Sequence, residues 1–353
     1  MNKLSAYEIG RIVVRSPSWV GDAVMSVPAL RELQRLLPAA HLTIAAPPGT
    51  ADIFADADFV DDVIVSQPKF LPSVRRLRTG KFDLALLFQN SFASALVSFA
   101  ARIHFRIGYD TDRRGMLLTT AVPVPSWKSE RHESFYYLNL IAELERLLFR
   151  SDKIASVEPR FDLSVSENRK EGARQFLSDH GLSVDKPLAI LCPGSVNSRA
   201  KRWPTERYAE LSDRLIEAGV NVALIGSPSE LEVSRRVVNA ARREPIVLTG
   251  QTSIAEVVAI ISIGNVLVTN DTGPAHIGAA LGTPTLVIFG PTNPLTTYPF
   301  SANAQIIREP PDCAPCMLRD CPIDHRCMTP ISSEQVFQKA ISMVERQVVQ
   351  LSG

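Results

Sequence analysis

Val266-Leu267-Val268-Thr269-Asn270-Asp271-Thr272-Gly273-Pro274-Ala275-His276 is the stretch whose reading decides the fold. Its first four residues are apolar or β-branched, which predicts a buried strand. Gly273 lets backbone approach a ligand closely. Pro274 suits a first helical turn, where its missing N–H costs nothing. The apolar run 275–281 then predicts a helix. A helix opening at a strand's carboxyl end offers free amides and a positive dipole end, which suit an anion such as phosphate. The plainer reading is that Asp271 or Thr272 only caps the helix.

The same alternation extends in both directions. Upstream, 188–191, 220–225 and 246–248 read as strands, with helices at 205–218, 231–241 and 254–263. Downstream, 285–289 reads as a strand, and 335–351 as a final amphipathic helix. Near the start, 11–14, 41–46, 63–65 and 84–88 read as strands, with helices at 23–37 and 93–101. Residues 151–170 are polar and interrupt the pattern. Alternating strands and helices predict parallel, doubly wound sheets. The expected organisation is two Rossmann-like domains, 1–165 and 166–332, facing a cleft, with a helix at 333–353 that packs back on the first. Ligands usually sit in such a cleft.

Composition is that of an ordinary globular chain. Its 353 residues suit two domains, and a net charge of +1 gives no case for nucleic acid. Charge is uneven, however. Residues 69–131 hold eleven Lys/Arg against four Asp/Glu, either a solvated surface or a patch for an anionic partner. The N-terminal residues lack an apolar signal segment, and no apolar run is long enough to span a bilayer, so a cytoplasmic location is expected. P-loop, dinucleotide and nucleophile-elbow motifs are absent.

Three loops after strands carry candidate chemistry. Cys192-Pro193-Gly194-Ser195 and the basic Lys201-Arg202-Trp203-Pro204 follow one strand. A lysine there can neutralise a diphosphate as a point charge. Ser16-Pro17-Ser18-Trp19-Val20-Gly21-Asp22 follows the first strand. On spacing alone Asp22 reads first as a helix cap and second as a cleft-facing general base. Two D-x-D pairs, Asp56/Asp58 and Asp110/Asp112, make a poor case for a catalytic metal, since Arg106, Arg113 and Arg114 already balance the second. Cys313-x2-Cys316-x4-Cys321-x5-Cys327 is compatible with four structural metal thiolates, although the spacing is irregular and reduced cysteines in a proline-rich loop are the favoured reading.

Six strings together resemble the bacterial lipopolysaccharide heptosyltransferases, glycosyltransferase family 9, and among them the heptosyltransferase II branch most closely. They are Pro17 to Asp22, Asn90-Ser91-Phe92-x-Ser94-Ala95-Leu96, Arg106-x-Gly108-Tyr109, Cys192-Pro193-Gly194, Ala200 to Pro204, and Thr269 to Gly273 with His276. The resemblance implies a GT-B fold, an inverting enzyme without a required cofactor, ADP-heptose as donor, and the lipid-anchored inner core heptosyl-Kdo₂-lipid A as acceptor. It also implies transient contact with the cytoplasmic face of the inner membrane. Asp22 would be the base. Lys201, Ser195, Glu230, Asp271, Thr272, Gly273 and His276 would serve the donor, with Asp271 on sugar hydroxyls. Ser18, Trp19, Gly21, Asn90, Arg113 and Arg114 would serve the acceptor. A transferase with another nucleotide-sugar donor, or a non-catalytic nucleotide-sugar-binding assembly protein, would share the same phosphate cradle.

Overall fold

A computed structural model describes residues 6–183 and 185–352. The chain forms two compact units, Met1–Ser164 and Val165–Gly353.

The first unit runs β1 (Arg11–Arg15), α1 (Val20–Met25), α2 (Val27–Leu36), β2 (His41–Ala46), α3 (Pro48–Ala51), β3 (Asp62–Val65), α4 (Phe70–Thr79), β4 (Leu84–Leu87), α5 (Phe92–Ala100), β5 (Phe105–Tyr109), β6 (Thr120–Val122) and α6 (Glu133–Phe149). Its sheet has the order β3-β2-β1-β4-β5-β6 and is parallel throughout. Every residue of β4 is buried, as expected of a strand covered on both faces.

The second unit runs α7 (Glu167–Asp179), β7 (Leu188–Cys192), α8 (Thr205–Glu217), β8 (Asn221–Leu224), α9 (Leu231–Ala240), β9 (Ile246–Val247), α10 (Ile254–Ile263), β10 (Val266–Asn270), α11 (Gly273–Leu281), β11 (Thr285–Ile288), α12 (Pro294–Thr297), β12 (Ala304–Ile307) and α13 (Ser333–Ser352). Its parallel sheet has the order β12-β11-β10-β7-β8-β9. In each unit the chain's direction across the sheet reverses beside the first strand, between β1 and β4 and between β7 and β10. Such a reversal leaves a crevice at the carboxyl ends of the two strands.

One expectation needs correction. The helix read at 23–37 is two helices broken at Ser26, whose hydroxyl donates to the Ala23 carbonyl at 2.7 Å and which caps α2 just ahead of Pro28. A proline cannot continue the ladder of the preceding helix. The last helix, expected to pack back on the first domain, contributes one face to the second unit's core. Val336, Ala340, Met343 and Val344 on one face of α13 join that unit's core, and the helix packs on α8, β10 and β11. The spacing of these residues fits one helical stripe.

Candidate active site

In the second unit one asparagine ties the site together. Asn270 ends β10 and is fully buried. Its amide nitrogen donates to the carbonyls of Pro193 and Gly194, at 2.9 and 3.0 Å. Its oxygen accepts from the Trp203 backbone N–H at 3.1 Å and from the Tyr208 hydroxyl at 3.2 Å. A fully buried amide must satisfy both ends. Here that requirement locks the loop after β7, the basic loop and the start of α11 to one another. The sequence motif contained Asn270 but assigned it no task.

Lys201 lies beside this knot. Its ammonium donates to the Asp271 carboxylate at 2.9 Å and to the Asp271 carbonyl at 3.0 Å, so two of its three N–H groups are spent on one residue. Asp271 is 3% exposed and also accepts from the Thr292 hydroxyl at 2.6 Å. Its Oδ2 thus holds both Lys201 and Thr292, so the expected contact of Asp271 with sugar hydroxyls falls to Oδ1. Arg202, the neighbouring cation, donates twice to the Ser195 carbonyl and so braces that loop. Ser195 itself is buried.

Thr272 is the N-cap of α11, yet its side chain makes no capping bond. Its hydroxyl instead meets Thr269 and the Asn270 carbonyl. Gly273 is the first residue of the helix, so the positive end of α11 stands beside Lys201's carboxylate partner. His276 is buried, and burial first of all pushes its pKa down to about 4, with Lys201 adding to that and Asp271 opposing it. It is a neutral imidazole at neutral pH and brings no positive charge to an anion. Glu230 occupies a capping box, accepting from the Ser227 N–H and hydroxyl, both at 2.8 Å through Oε2. Its Oε1 lies against Gly194, where any Cβ would collide with the carboxylate. A side chain at position 194 would therefore force the Glu230 carboxylate to move.

The cysteine loop supports Lys201 from behind. The Ala200 N–H donates to the Arg319 carbonyl at 2.9 Å, the Ser198 hydroxyl meets the Leu318 and Arg319 carbonyls, and Arg199 pairs with Asp320 at 2.6 Å. Cys313, Cys316, Cys321 and Cys327 are free thiols. They range from exposed to buried, and among the described residues no group of three His, Cys, Asp or Glu side chains forms a metal-ligand set.

In the first unit, Trp19 is the N-cap of α1 and Asp22 lies inside its first turn. Asp22 is thus not the N-cap itself, although a carboxylate in the first turn still complements the positive end of the helix dipole. It is half-buried and close enough to Glu133 and Tyr137 to raise both their pKa values. Glu133 is pushed up to about 7, by burial first, with Lys128 opposing and Asp22 adding. Lys128 pairs with Glu133 at 3.9 Å and sits 4.0 Å from the centre of the Tyr136 ring. Sequence reasoning missed Lys128, Glu133 and Tyr136, because no strand-to-helix turn marks them. Ser18 accepts from Gln89 at 2.8 Å, joining the loops after β1 and β4 at the reversal point. Trp19 is exposed and Gly21 half-buried.

Arg113 and Arg114 separate. Arg113 is exposed, with φ of 57°. Arg114 has no exposed surface. Its guanidinium donates to the carbonyls of Tyr109 and Gln89 and to Asn90 Oδ1 at 3.2 Å, and burial lowers its pKa to about 10. The expectation that Arg114 meets acceptor is corrected: it is an internal brace. Asn90, bonded also to the Tyr136 hydroxyl at 3.2 Å, is largely committed to the same network.

The sequence profile of glycosyltransferase family 9 (heptosyltransferase) matches residues 72–326. The chain belongs to this family. It is 33% identical over 316 residues to lipopolysaccharide heptosyltransferase 2 of Salmonella typhimurium, covering 84% of this chain and 88% of the relative. The Escherichia coli ADP-heptose lipopolysaccharide heptosyltransferase II structure superposes with a TM-score of 0.83 at 29% identity, over 96% of this chain and 99% of that one. A family 9 glycosyltransferase structure from Veillonella parvula, 24% identical, gives a TM-score of 0.81 over 96% of this chain and 99% of its own, which supports the fold. The family 9 chain is therefore a glycosyltransferase with a GT-B fold of two Rossmann-like units, similar to lipopolysaccharide heptosyltransferases II. Among the described residues no helix is long and apolar enough to cross a membrane.

Proposed function

We propose that the protein transfers L-glycero-D-manno-heptose from ADP-heptose to the first heptose of heptosyl-Kdo₂-lipid A, at the cytoplasmic face of the inner membrane. The observation that carries this reading is the Lys201–Asp271 pair at the start of α11, fixed by Asn270 at the sheet's reversal point. A fixed cation beside a helix N-terminus suits a diphosphate leaving group. The name of the 29% identical structure, an ADP-heptose heptosyltransferase, supports the choice of donor.

In this account Asp22 takes the proton of the attacking acceptor hydroxyl. The acceptor oxygen bonds to the anomeric carbon from the face opposite the diphosphate, and the carbon–oxygen bond to ADP breaks, giving inversion. Lys201's remaining N–H and the Gly273 amide stabilise the charge growing on ADP. Ser195 and His276 serve as neutral polar neighbours of the donor, and Glu230 Oε1 as an acceptor for ribose hydroxyls. Asp271 positions Lys201. Ser18, Trp19, Gly21, Asn90 and Arg113 lie on the acceptor side, with Arg113 the exposed cation for acceptor anions.

The test is mass spectrometry of heptosyl-Kdo₂-lipid A after incubation with the protein and ADP-heptose in EDTA. Gain of one heptosyl residue with release of ADP is expected. No transfer from ADP-heptose while another nucleotide sugar is consumed would reassign the donor. No ADP release from any donor would make the protein a binding module. Loss of transfer in EDTA, restored by Mg²⁺, would contradict the metal-independent account.

A further inference from the structure

The excess of cations in residues 69–131 has a structural focus. All strands of the first sheet are parallel, so α1, α4 and α5 begin at the same carboxyl edge. Helix α4 buries Ser73, Val74 and Leu77, and the last two join the first unit's core. Its opposite surface is unusual. Phe70 is 44% and Leu71 63% exposed at its first turn; Lys69 just ahead of them and Arg75, Arg76 and Arg78 further along the helix are exposed as well. Residues 69–81 hold five Lys/Arg and no Asp/Glu.

Local structure explains part of this. Arg76 and Arg78 lie in the last turn, where the helix dipole favours cations, and Arg78 donates to the Ala100 carbonyl at 2.5 Å. Neither fact accounts for Lys69, Arg75 or the exposed apolar pair. Scattered exposed apolar residues are ordinary on a protein surface. An aromatic and a branched apolar side chain at one helix tip, in a segment that holds five cations and no acid, match the makeup of an interfacial anchor. The apolar groups enter below the headgroups while the cations meet anionic lipid.

The geometry points to α4, with Lys69 ahead of it, as a docking surface for a bilayer bearing anionic phospholipid headgroups. Docking by this edge holds the start of α1, and so Asp22, on the side from which a lipid-anchored acceptor arrives. That consequence rests on the acceptor reading above; the lipid binding itself does not.

The test is sedimentation of the full-length protein with vesicles of phosphatidylcholine alone or of equimolar phosphatidylcholine and phosphatidylglycerol. The protein is expected to pellet with the mixed vesicles only, less so as salt rises. Each cation near an anionic surface is worth about five-fold in binding. Arg75→Glu with Arg76→Glu is therefore expected to weaken it about ten-fold or more, and Phe70→Ser with Leu71→Ser to weaken it as well. Both double variants should turn over a deacylated, water-soluble acceptor at the wild-type rate. Absence of pelleting, or equal pelleting by the variants, overturns the inference. So does slowed turnover of the deacylated acceptor by the arginine variant alone, which would give the cluster to the acceptor's own anions. Failure of the wild-type protein to use the deacylated acceptor would instead count against the proposed function and leave the vesicle result standing.

Discussion

Arg113 and Arg114 are neighbours in sequence with opposite surroundings, and their variants should differ accordingly. Arg114 has no exposed surface and braces the carbonyls of Tyr109 and Gln89. Arg114→Ala removes a buried, hydrogen-bonded cation and leaves those acceptors open, which should cost about 3 kcal/mol in urea unfolding. Arg113→Ala should change stability by less than about 0.5 kcal/mol and raise the acceptor KM. The charge pattern treats the two residues alike. What separates them is backbone, since Asp112 and Arg113 both take positive φ and turn one arginine out and the next one in. His276 makes a second residue-scale prediction. Its pKa of about 4 lies below the unfolded value near 6.5, so between those values the unfolded chain binds more protons. Stability should rise with pH from about 4 to about 6.5 and stay flat above, as far as this residue contributes. Urea unfolding of His276→Gln across that window should show a shallower rise than the parent.

At the scale of elements, strands with a buried apolar run were legible: β7 is apolar and buried along its whole length, and β10 is fully buried with an apolar start at 266–268. The long helix α6, with nine buried residues, was nevertheless not read. Elements with mixed surfaces were not read either. β5 carries Arg106 and Gly108 within five residues, and α7 is mostly polar, with only Ala173 and Leu177 buried. The break at Ser26 was missed because the apolar stripe continues across it from Val24 to Val27. The loops of the second unit were legible as motifs, but their mutual attachment was not, because Asn270 bonds residues 62 to 77 positions away. Asn270→Ala should leave the Tyr208 hydroxyl, the Trp203 N–H and two carbonyls without their partner. A loss of about 3 kcal/mol is expected, lowering Tm by roughly 6–12 °C for a unit of this size. A change under about 2 °C would mean that other groups fix these loops.

At the scale of the whole molecule, each unit repeats one plan: a parallel sheet whose direction reverses beside its first strand, with chemistry on the loops at that reversal. In the first unit those loops carry Asp22, and in the second they carry Lys201, Asp271 and Gly273. The plan was visible in the sequence because each loop pairs an apolar strand with a helix-opening glycine or proline. The task proposed for each unit rests on the groups at its reversal, a carboxylate in one and a fixed ammonium with a helix N-terminus in the other. The most direct test is the turnover of Asp22→Asn with ADP-heptose and heptosyl-Kdo₂-lipid A, alongside its calorimetric affinity for ADP. The account predicts a kcat lower by about 10²-fold or more with ADP affinity unchanged; turnover near that of the parent would show that Asp22 is not the base.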